Sequence, residues 1–191
     1  MSATTSITPI SRTDTANYTE ADIYKELEYL KELFTKLRIC DASNISFIVK
    51  IINRKKSNCH GSCQQVQRTQ NTFLIRISSS WIKYASPQGV HDTICHEFIH
   101  ALPGCMNHGT KWQTYCNQFM SFYPEFNLSR TTSDTNHTKY IASLSKYRFV
   151  CPNCGVIGYF NRMTEDRKFL FSMQKYKCRK CGAKISYEQM Y

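Results

Sequence analysis

Residues 96–100 read His-Glu-Phe-Ile-His, and this stretch decides what kind of domain the chain forms. On a helix, His96 and His100 lie one above the other on one face, so both imidazoles can bind a single Zn²⁺. Zinc lowers the pKa of a bound water from about 15.7 to about 7, and Glu97 can take that proton and later give it to a leaving amine. The other interpretation is that these five residues occur by chance on an ordinary helix.

The sequence around the motif favours a helix. Pro87 and Gly89 precede it, and Pro103-Gly104 end it. Apolar residues recur through the motif at helical spacing: Val90, Ile94, Phe98, Ala101 and Leu102. We therefore predict a helix of about 12 residues that presents both histidines to one side.

A catalytic zinc ion takes three protein ligands and keeps a fourth position for water. His108 is the leading candidate for the third ligand, because it follows the Pro-Gly turn and precedes a second predicted helix near Trp112. Glu125 is the alternative, although Pro124 beside it gives a poor helical context. A solvent-exposed loop histidine is the remaining interpretation of His108.

The C-terminal cysteines form a second motif. Cys151-x-x-Cys154 and Cys178-x-x-Cys181 are two identical clips separated by 23 residues, and a glycine follows each of them, which suits a tight turn that aims two sulfurs at one ion. Four thiolates fill a tetrahedral shell, so this zinc is predicted to be structural. A pair of redox-active C-x-x-C sites is the alternative. A domain of about 45 residues has too small a core to be stable by itself, and a bound metal ion usually supplies the missing stability.

The other six cysteines show no regular spacing. Four of them stand singly in apolar or helical surroundings and are predicted to be buried: Cys40, Cys95, Cys105 and Cys116. The stretch Cys59-His60-Gly61-Ser62-Cys63 reads as a hairpin turn that carries two thiols. A second metal clip with His60 as a ligand is the alternative for this stretch.

The segment HEFIHALPGCMNHGTKW, residues 96–112, resembles the core of the SprT-like family. Upstream, Gly61-Ser62-Cys63 and the strand-like run 73–78 are similar to family elements, and residues 147–155 are similar to the aromatic strand that introduces a zinc ribbon. One departure is Cys59-His60, where an aromatic residue is common. The residues that match the family pattern in the core are His96, Glu97, His100, His108, Gly109 and Trp112.

The resemblance covers roughly residues 20–190 and implies a fold and a function. The implied fold is α+β: a small zincin-like metallopeptidase domain of helices and a short β-sheet, followed by a β-rich zinc ribbon. The implied activity is zinc-dependent hydrolysis of peptide bonds in DNA-bound or DNA-crosslinked proteins, which is a DNA-repair function. The implied cofactors are one catalytic zinc ion and one structural zinc ion.

On this basis the chain divides into four parts. Residues 1–17 are predicted to be a flexible tail, residues 18–126 the metallopeptidase domain, residues 127–146 a polar linker rich in Ser and Thr, and residues 147–191 the ribbon.

Local patterns predict individual elements. Residues 18–38 have an apolar stripe typical of an amphipathic helix, with Thr19 and Asp22 as a weak capping box. Residues 45–52 and 72–78 are predicted to be neighbouring strands. Residues 156–160 and 168–171 read as strands in the ribbon.

The composition indicates a reduced intracellular compartment. Residues 1–19 are polar, so neither a signal peptide nor a membrane anchor is expected, and no run of 18 apolar residues occurs. Without secretion, ten cysteines favour metal binding over disulfides. We expect a cytoplasmic location, or a nuclear one in a eukaryote, and no membrane partner.

The net charge of +11 is concentrated near the C-terminus. Residues 135–191 hold 11 Lys and Arg against 3 Asp and Glu, a net of +8, whereas residues 1–134 hold 14 against 11, a net of +3. Cations interleaved with aromatic residues suit phosphate contact and base stacking, so DNA is the expected partner, bound without sequence specificity. A solvated basic face is the alternative. The candidate DNA-contacting residues are Arg162, Arg167, Lys168, Lys175, Lys177, Arg179, Lys180 and Lys184.

Two functions from different classes follow. The first is a metallopeptidase directed to DNA-bound protein substrates, with single- and double-stranded DNA both open as the guiding partner. The second is a non-catalytic nucleic-acid-binding protein with two structural zinc sites, against which the presence of Glu97 speaks. Tyr115 and His137 are named as residues that could stabilise the oxyanion, although no motif marks either of them.

Overall fold

The computed structural model describes residues 18–53, 59–129, 134 and 136–190, which form two compact units. The first unit runs to His137 and the second begins at Thr138. The predicted tail, residues 1–17, lies outside the described residues. None of the helices in the part of the chain that the structure describes is both long and apolar enough to cross a bilayer.

The first unit begins with helix α1, Glu20–Lys36. Its predicted capping box is confirmed: the Thr19 hydroxyl accepts a hydrogen bond from the Asp22 backbone N–H at 3.2 Å, and the Asp22 carboxylate accepts one from the Thr19 N–H at 3.1 Å. The apolar stripe is buried as predicted, at Ile23, Leu27, Leu30 and Phe34.

A three-stranded sheet follows, with strand order β1-β3-β2. Strand β1, Ser46–Ile52, is parallel to β3, Thr72–Ser78, and β2, Gly61–Gln65, is antiparallel to β3. The prediction that residues 45–52 and 72–78 form neighbouring strands is confirmed by the pairing of β1 with β3. The sequence did not predict β2, because Gly, Ser and Gln have low strand propensity and its pairing with β3 is what makes this segment a strand.

Three helices complete the first unit: α2, Ser79–Tyr84; α3, Pro87–Ala101; and α4, Thr110–Phe122. Helix α3 packs against β2 and β3 and against α1 and α4. Stacked and edge-on rings join the helices in the core, with Phe34 at 4.9 Å from both Phe98 and Phe119 between ring centroids. This arrangement holds α3 rigidly, and α3 carries the motif histidines.

Helix α5, His137–Leu144, lies inside the segment predicted to be a linker. The sequence did not predict this helix, because the segment is rich in Ser and Thr. Its buried residue is Tyr140. Most of α5 belongs to the second unit. The linker prediction therefore needs correction for residues 137–144.

The second unit contains a three-stranded antiparallel sheet with order β5-β4-β6. Its strands are β4, Tyr147–Cys151; β5, Gly155–Phe160; and β6, Ser186–Gln189. The prediction of a strand at 168–171 is wrong, because these residues lie in helix α6, Glu165–Ser172, whose N-cap is Thr164. The Thr164 hydroxyl accepts a hydrogen bond from the Arg167 N–H at 3.2 Å, so a local capping interaction starts a helix where the apolar run looked like a strand.

Aromatic rings replace an aliphatic core in the second unit. Phe149 lies 4.4 Å from Phe160 and 5.7 Å from Phe171 between ring centroids, and Phe171 lies 4.4 Å from Tyr176. Large rings supply much buried area in a short chain, which suits a unit of this size. The two units together confirm the predicted α+β fold with a C-terminal ribbon.

Candidate metal centre

Helix α3 fixes two of the three predicted zinc ligands. Ser86 caps it, accepting a hydrogen bond from the Gly89 N–H at 3.0 Å, and Pro87 occupies its first turn. The structure gives α3 15 residues, so the helix is longer than predicted. His96 and His100 lie four residues apart, and their side chains therefore meet on one face.

The loop after α3 brings His108 back to this face. Gly104 adopts a left-handed conformation with φ +78°, which turns the chain directly after Pro103. The carbonyl of Cys105 lies 2.6 Å from His100 Nδ1, so Nδ1–H donates to it and the Nε2 lone pair remains available for a metal. Gln113 of α4 donates to the His108 carbonyl at 3.1 Å, which anchors the end of the loop.

Three ring nitrogens converge at the predicted zinc site. The Nε2 atoms of His96 and His108 are 2.9 Å apart, and each of them lies 3.2 Å from His100 Nε2. Zn–N bonds of 2.0–2.1 Å at tetrahedral angles imply N···N separations of about 3.3 Å. The three histidines therefore fit a zinc ion with one further position left open.

The protonation of these histidines suits metal binding. Burial lowers the pKa of His96 to about 3, with further lowering from the nearby charges of His100 and His108. Burial also lowers the pKa of His100, against the opposing effect of its hydrogen bond to the Cys105 carbonyl. Neutral imidazoles have the free lone pair that coordination requires.

Trp112 forms the floor beneath the three histidines. Its ring centroid lies 4.8 Å from that of His96, 5.5 Å from that of His100 and 4.7 Å from that of His108. It is only 3% exposed, so it keeps one side of the site closed to solvent. The sequence placed Trp112 on the face of a helix, and only the fold shows that this face lies under the ligands.

Glu97 directly follows His96 on α3 and lies against strand β2. It is 6% exposed, and a Cβ atom on residue 61 would lie 2.8 Å from its Cγ and its Oε1. The absence of a side chain at Gly61 therefore makes room for the carboxylate. Burial, together with the charge of Glu97, raises the pKa of Cys63 to about 12, so this thiol is neutral beside the carboxylate.

The alternatives for the ligand set are not assembled in the structure. Among the described residues, two groups of His, Cys, Asp and Glu bring ligand atoms within 4.8 Å of one another: one is His96, His100 and His108, and the other is Cys151, Cys154, Cys178 and Cys181. Glu125 is exposed in a turn after α4 and belongs to neither group. Cys59 and Cys63 belong to neither group. The expected hairpin turn is wrong for residues 61–63, because they begin strand β2, Gly61–Gln65.

The four ribbon cysteines gather at the second predicted site. The sulfurs of Cys151 and Cys181 lie 3.4 Å apart, and those of Cys154 and Cys178 lie 3.9 Å apart. Zn–S bonds of about 2.3 Å imply S···S separations of about 3.8 Å in a tetrahedron, so the set fits a structural zinc ion.

The turns of the two clips and their thiol chemistry agree with this site. Gly155 and Gly182 both have φ +73°, as expected for glycines that follow a metal clip. Backbone N–H groups of Cys181 and Lys180 lower the pKa of Cys178 to about 7, whereas a hydrogen bond with Cys181 raises that of Cys154 to about 12. Repulsion between neighbouring thiolates opposes their ionisation, and a cation bound between the sulfurs offsets it.

The predicted DNA-contacting residues all lie in the second unit, and seven of the eight are exposed. Arg167 is half-buried: its guanidinium lies 5.5 Å over the Phe160 ring, and it donates to the Arg162 carbonyl at 2.8 Å. Lys168 pairs with Glu165 at 2.8 Å, and Lys184 contacts the Gln174 side chain. Four further cations lie beside or within the second clip in the sequence: Lys175, Lys177, Arg179 and Lys180.

The family comparison agrees with this geometry. The model of the SprT-like family matches residues 27–134, which is more than half of the chain and runs from within α1 to beyond the end of α4. A search among curated proteins gave no significant match. The chain therefore belongs to the SprT-like family.

Proposed function

We propose that this chain is a zinc-dependent metalloendopeptidase that acts on DNA-associated or DNA-crosslinked proteins. The observation that carries the proposal is a buried carboxylate, Glu97, one residue after a histidine whose Nε2 converges with two others at 2.9–3.2 Å. A structural metal site needs no such carboxylate, whereas hydrolysis of a peptide bond needs a base beside the metal.

The residues divide the chemistry among them. His96, His100 and His108 would hold a zinc ion, which supplies Lewis-acid polarisation and a lowered water pKa. Glu97 takes the proton from the attacking water and returns it to the leaving nitrogen. The hydrogen bond from His100 to the Cys105 carbonyl keeps that imidazole in the ligating orientation throughout.

Strand β2 offers a docking edge for an extended peptide. Among the described strands it pairs only with β3, so it is an edge strand, and Gly61 of this strand lies against Glu97. At the opposite edge, Glu20 accepts a hydrogen bond from the Ile51 N–H of β1 at 2.9 Å and so covers part of that edge. A peptide that adds to β2 would run past the base, which supports a polypeptide substrate.

The charge of the second unit supports DNA as the guiding partner. Residues 135–191 carry a net charge of +8, and exposed apolar side chains such as Phe169, at 62% exposure, stand among the cations of α6 and the second clip. Phosphates can contact the cations while unpaired bases stack on the rings.

The test is cleavage of a DNA-binding protein by the zinc-loaded full chain, with and without single-stranded DNA. Glu97→Gln should retain zinc but abolish cleavage, because the amide cannot accept the proton. Glu125→Gln is the matched control and should cleave like the native chain, since this exposed carboxylate is outside the histidine group. If the native chain binds zinc and DNA but cleaves no protein, the peptidase proposal fails and a nucleic-acid-binding role replaces it.

A further inference from the structure

Two histidines that are not in the metal-ligand group lie against each other, and one of them directly precedes Gly61, which lies beside Glu97. The chain has six histidines, of which three form the ligand group and His91 pairs with Glu26 on another part of α3 and α1. The remaining two, His60 and His137, are 5.1 Å apart between ring centroids with their planes at 76°. They are distant in sequence, so the fold alone brings them together.

His60 lies beside the catalytic face of α3. It directly precedes Gly61 in the chain. A Cβ atom added to Gly61 would lie 2.8 Å from Glu97 Oε1, so this part of β2 lies against the carboxylate. Its ring stacks on Trp81 at 3.8 Å, and the Trp81 indole N–H donates to the Thr93 hydroxyl at 2.9 Å, one helical turn before Glu97.

His137 is tied to the start of α3. Its backbone N–H donates to the Asp134 carbonyl at 3.0 Å. The Asp134 carboxylate in turn accepts hydrogen bonds from the backbone N–H of Ser86 at 2.9 Å and from its hydroxyl at 2.6 Å. Ser86 caps α3, so the position of His137 is fixed relative to the helix that carries His96 and Glu97.

Of the two rings, His137 is better placed to meet a substrate. One face of His60 is covered by Trp81, and its Nε2 atom is buried. His137 is only half-buried as a residue, and its ring packs edge-on against both His60 and Trp81.

Peptide hydrolysis needs a hydrogen-bond donor where negative charge develops on the carbonyl oxygen. We propose that His137 is a further catalytic residue, whose imidazole N–H donates to the carbonyl oxygen of the scissile peptide as the tetrahedral oxyanion forms. His60 and Asp134 are positioning residues for it. This inference rests on the proposed peptidase function and names a residue that the three ligands and Glu97 do not include.

The electrostatics of the pair agree with this role. Burial, followed by the charge of His137, lowers the pKa of His60 to about 4, while Asp134 acts in the opposite direction. His60 is therefore neutral near pH 7 and adds no repulsion toward a cation bound by His96.

The test compares His137→Phe with His137→Gln in the zinc-loaded full chain. Phe preserves the ring contact with His60 but has no donor, whereas Gln keeps an N–H donor. We expect His137→Phe to lower kcat by about 10²–10³-fold with little change in KM and unchanged zinc content, and His137→Gln to recover part of this loss. A native-like kcat for His137→Phe would overturn the inference.

A binding measurement separates this inference from the proposed function. A phosphinic peptide has a tetrahedral, negatively charged centre like that of the oxyanion, so calorimetry should show weaker binding to His137→Phe than to the native chain by about 10-fold or more. Equal affinity for the two proteins would overturn the role of His137 while leaving the peptidase proposal intact. No binding to the native chain, together with no cleavage, would overturn both.

Discussion

At the scale of single residues, Gly61 determines where the Glu97 carboxylate can lie. Alternation along β2 directs residues 61 and 63 toward α3 and residue 64 to the opposite face. A methyl group at position 61 would meet Glu97 at 2.8 Å and the Thr93 methyl group at 3.0 Å. The carboxylate would therefore have to move away from the position that it occupies in the structure.

We expect Gly61→Ala to lower cleavage by at least about 10-fold and stability by about 1–3 kcal/mol, with zinc content unchanged. Peptidase assays, urea unfolding and elemental analysis measure the three effects. Gln64→Ala, on the opposite face of the same strand, is the control and should cleave normally. Normal cleavage by Gly61→Ala would show that the contact with Glu97 does not position the base.

A second residue-scale feature is the buried pair of His91 and Glu26. Their Nδ1 and Oε1 atoms lie 2.8 Å apart, and Tyr18 donates to the other Glu26 oxygen at 3.3 Å. Burial by itself lowers the pKa of His91, but the hydrogen bond and charge of Glu26, together with the charge of Asp92, raise it overall above its ordinary value of 6.5. The contribution of the pair to stability is therefore complete below about pH 6.5 and is lost as the pH rises through the folded-state pKa.

We expect His91→Gln to reduce the free energy of unfolding by about 1.5–3 kcal/mol at pH 6 and by less at pH 9. Urea unfolding of the zinc-loaded native and variant chains at both pH values measures the difference. Lys83→Ala, an exposed substitution on α2, should show a small difference that does not change with pH. A His91→Gln difference that stays constant between pH 6 and pH 9 would contradict the raised pKa.

At the scale of elements, the ribbon consists of one three-stranded sheet and two cysteine turns, Cys151–Cys154 and Cys178–Cys181. Strand β4 ends at Cys151 and β5 begins at Gly155, so the first clip is the turn between paired strands. The second clip is closed by a Cys178 N–H to Ala183 carbonyl hydrogen bond of 2.8 Å. The aromatic core between these elements is only partly buried, so a metal ion has to contribute to the stability of the unit.

We expect the native chain to contain two zinc ions and Cys178→Ser to contain one, with the ordered structure of the ribbon lost. Elemental analysis gives the stoichiometry, and dispersion of the NMR signals from residues 147–190 reports the fold. Cys40→Ser is the control, because Cys40 belongs to no metal group among the described residues, and it should keep both ions. A single zinc ion in the native chain would remove one of the two proposed sites.

At the scale of the whole molecule, charge is distributed unevenly between the two parts of the sequence. The eight candidate DNA-contacting cations belong to the second unit, whereas the proposed catalytic residues belong to the first. This separation allows DNA binding and peptide hydrolysis to be tested by independent substitutions.

We expect Arg179→Glu with Lys180→Glu to weaken binding to single-stranded DNA and to reduce its salt dependence. The slope of log K against log salt should become shallower by about 0.7 for each phosphate that the protein no longer neutralises. Fluorescence anisotropy at several salt concentrations measures both quantities. Lys83→Glu reverses an exposed charge in the first unit and should change neither by a comparable amount. Unchanged DNA binding by the double variant would direct the search to the first unit.

The sequence by itself determined the parts of this protein that depend on local spacing. Helical periodicity placed His96, Glu97 and His100 together, and cysteine spacing with following glycines predicted the two clips. The cap of α1 and the neighbouring strands 45–52 and 72–78 were predictable for the same reason. These features depend on interactions between residues close in sequence or on strong residue preferences.

Tertiary structure decided what depends on contacts between distant residues. Strand β2 exists because Gly61–Gln65 pairs with β3. Helix α6 is a different case, because its Thr164 cap is a local interaction in a segment whose apolar residues resembled a strand. Only the fold brings Gly61 against Glu97, Trp112 beneath the ligands and His137 against His60. Sequence periodicity does not predict these contacts between distant residues. Each contact depends on how separate elements pack, and not on the order of residues within one element.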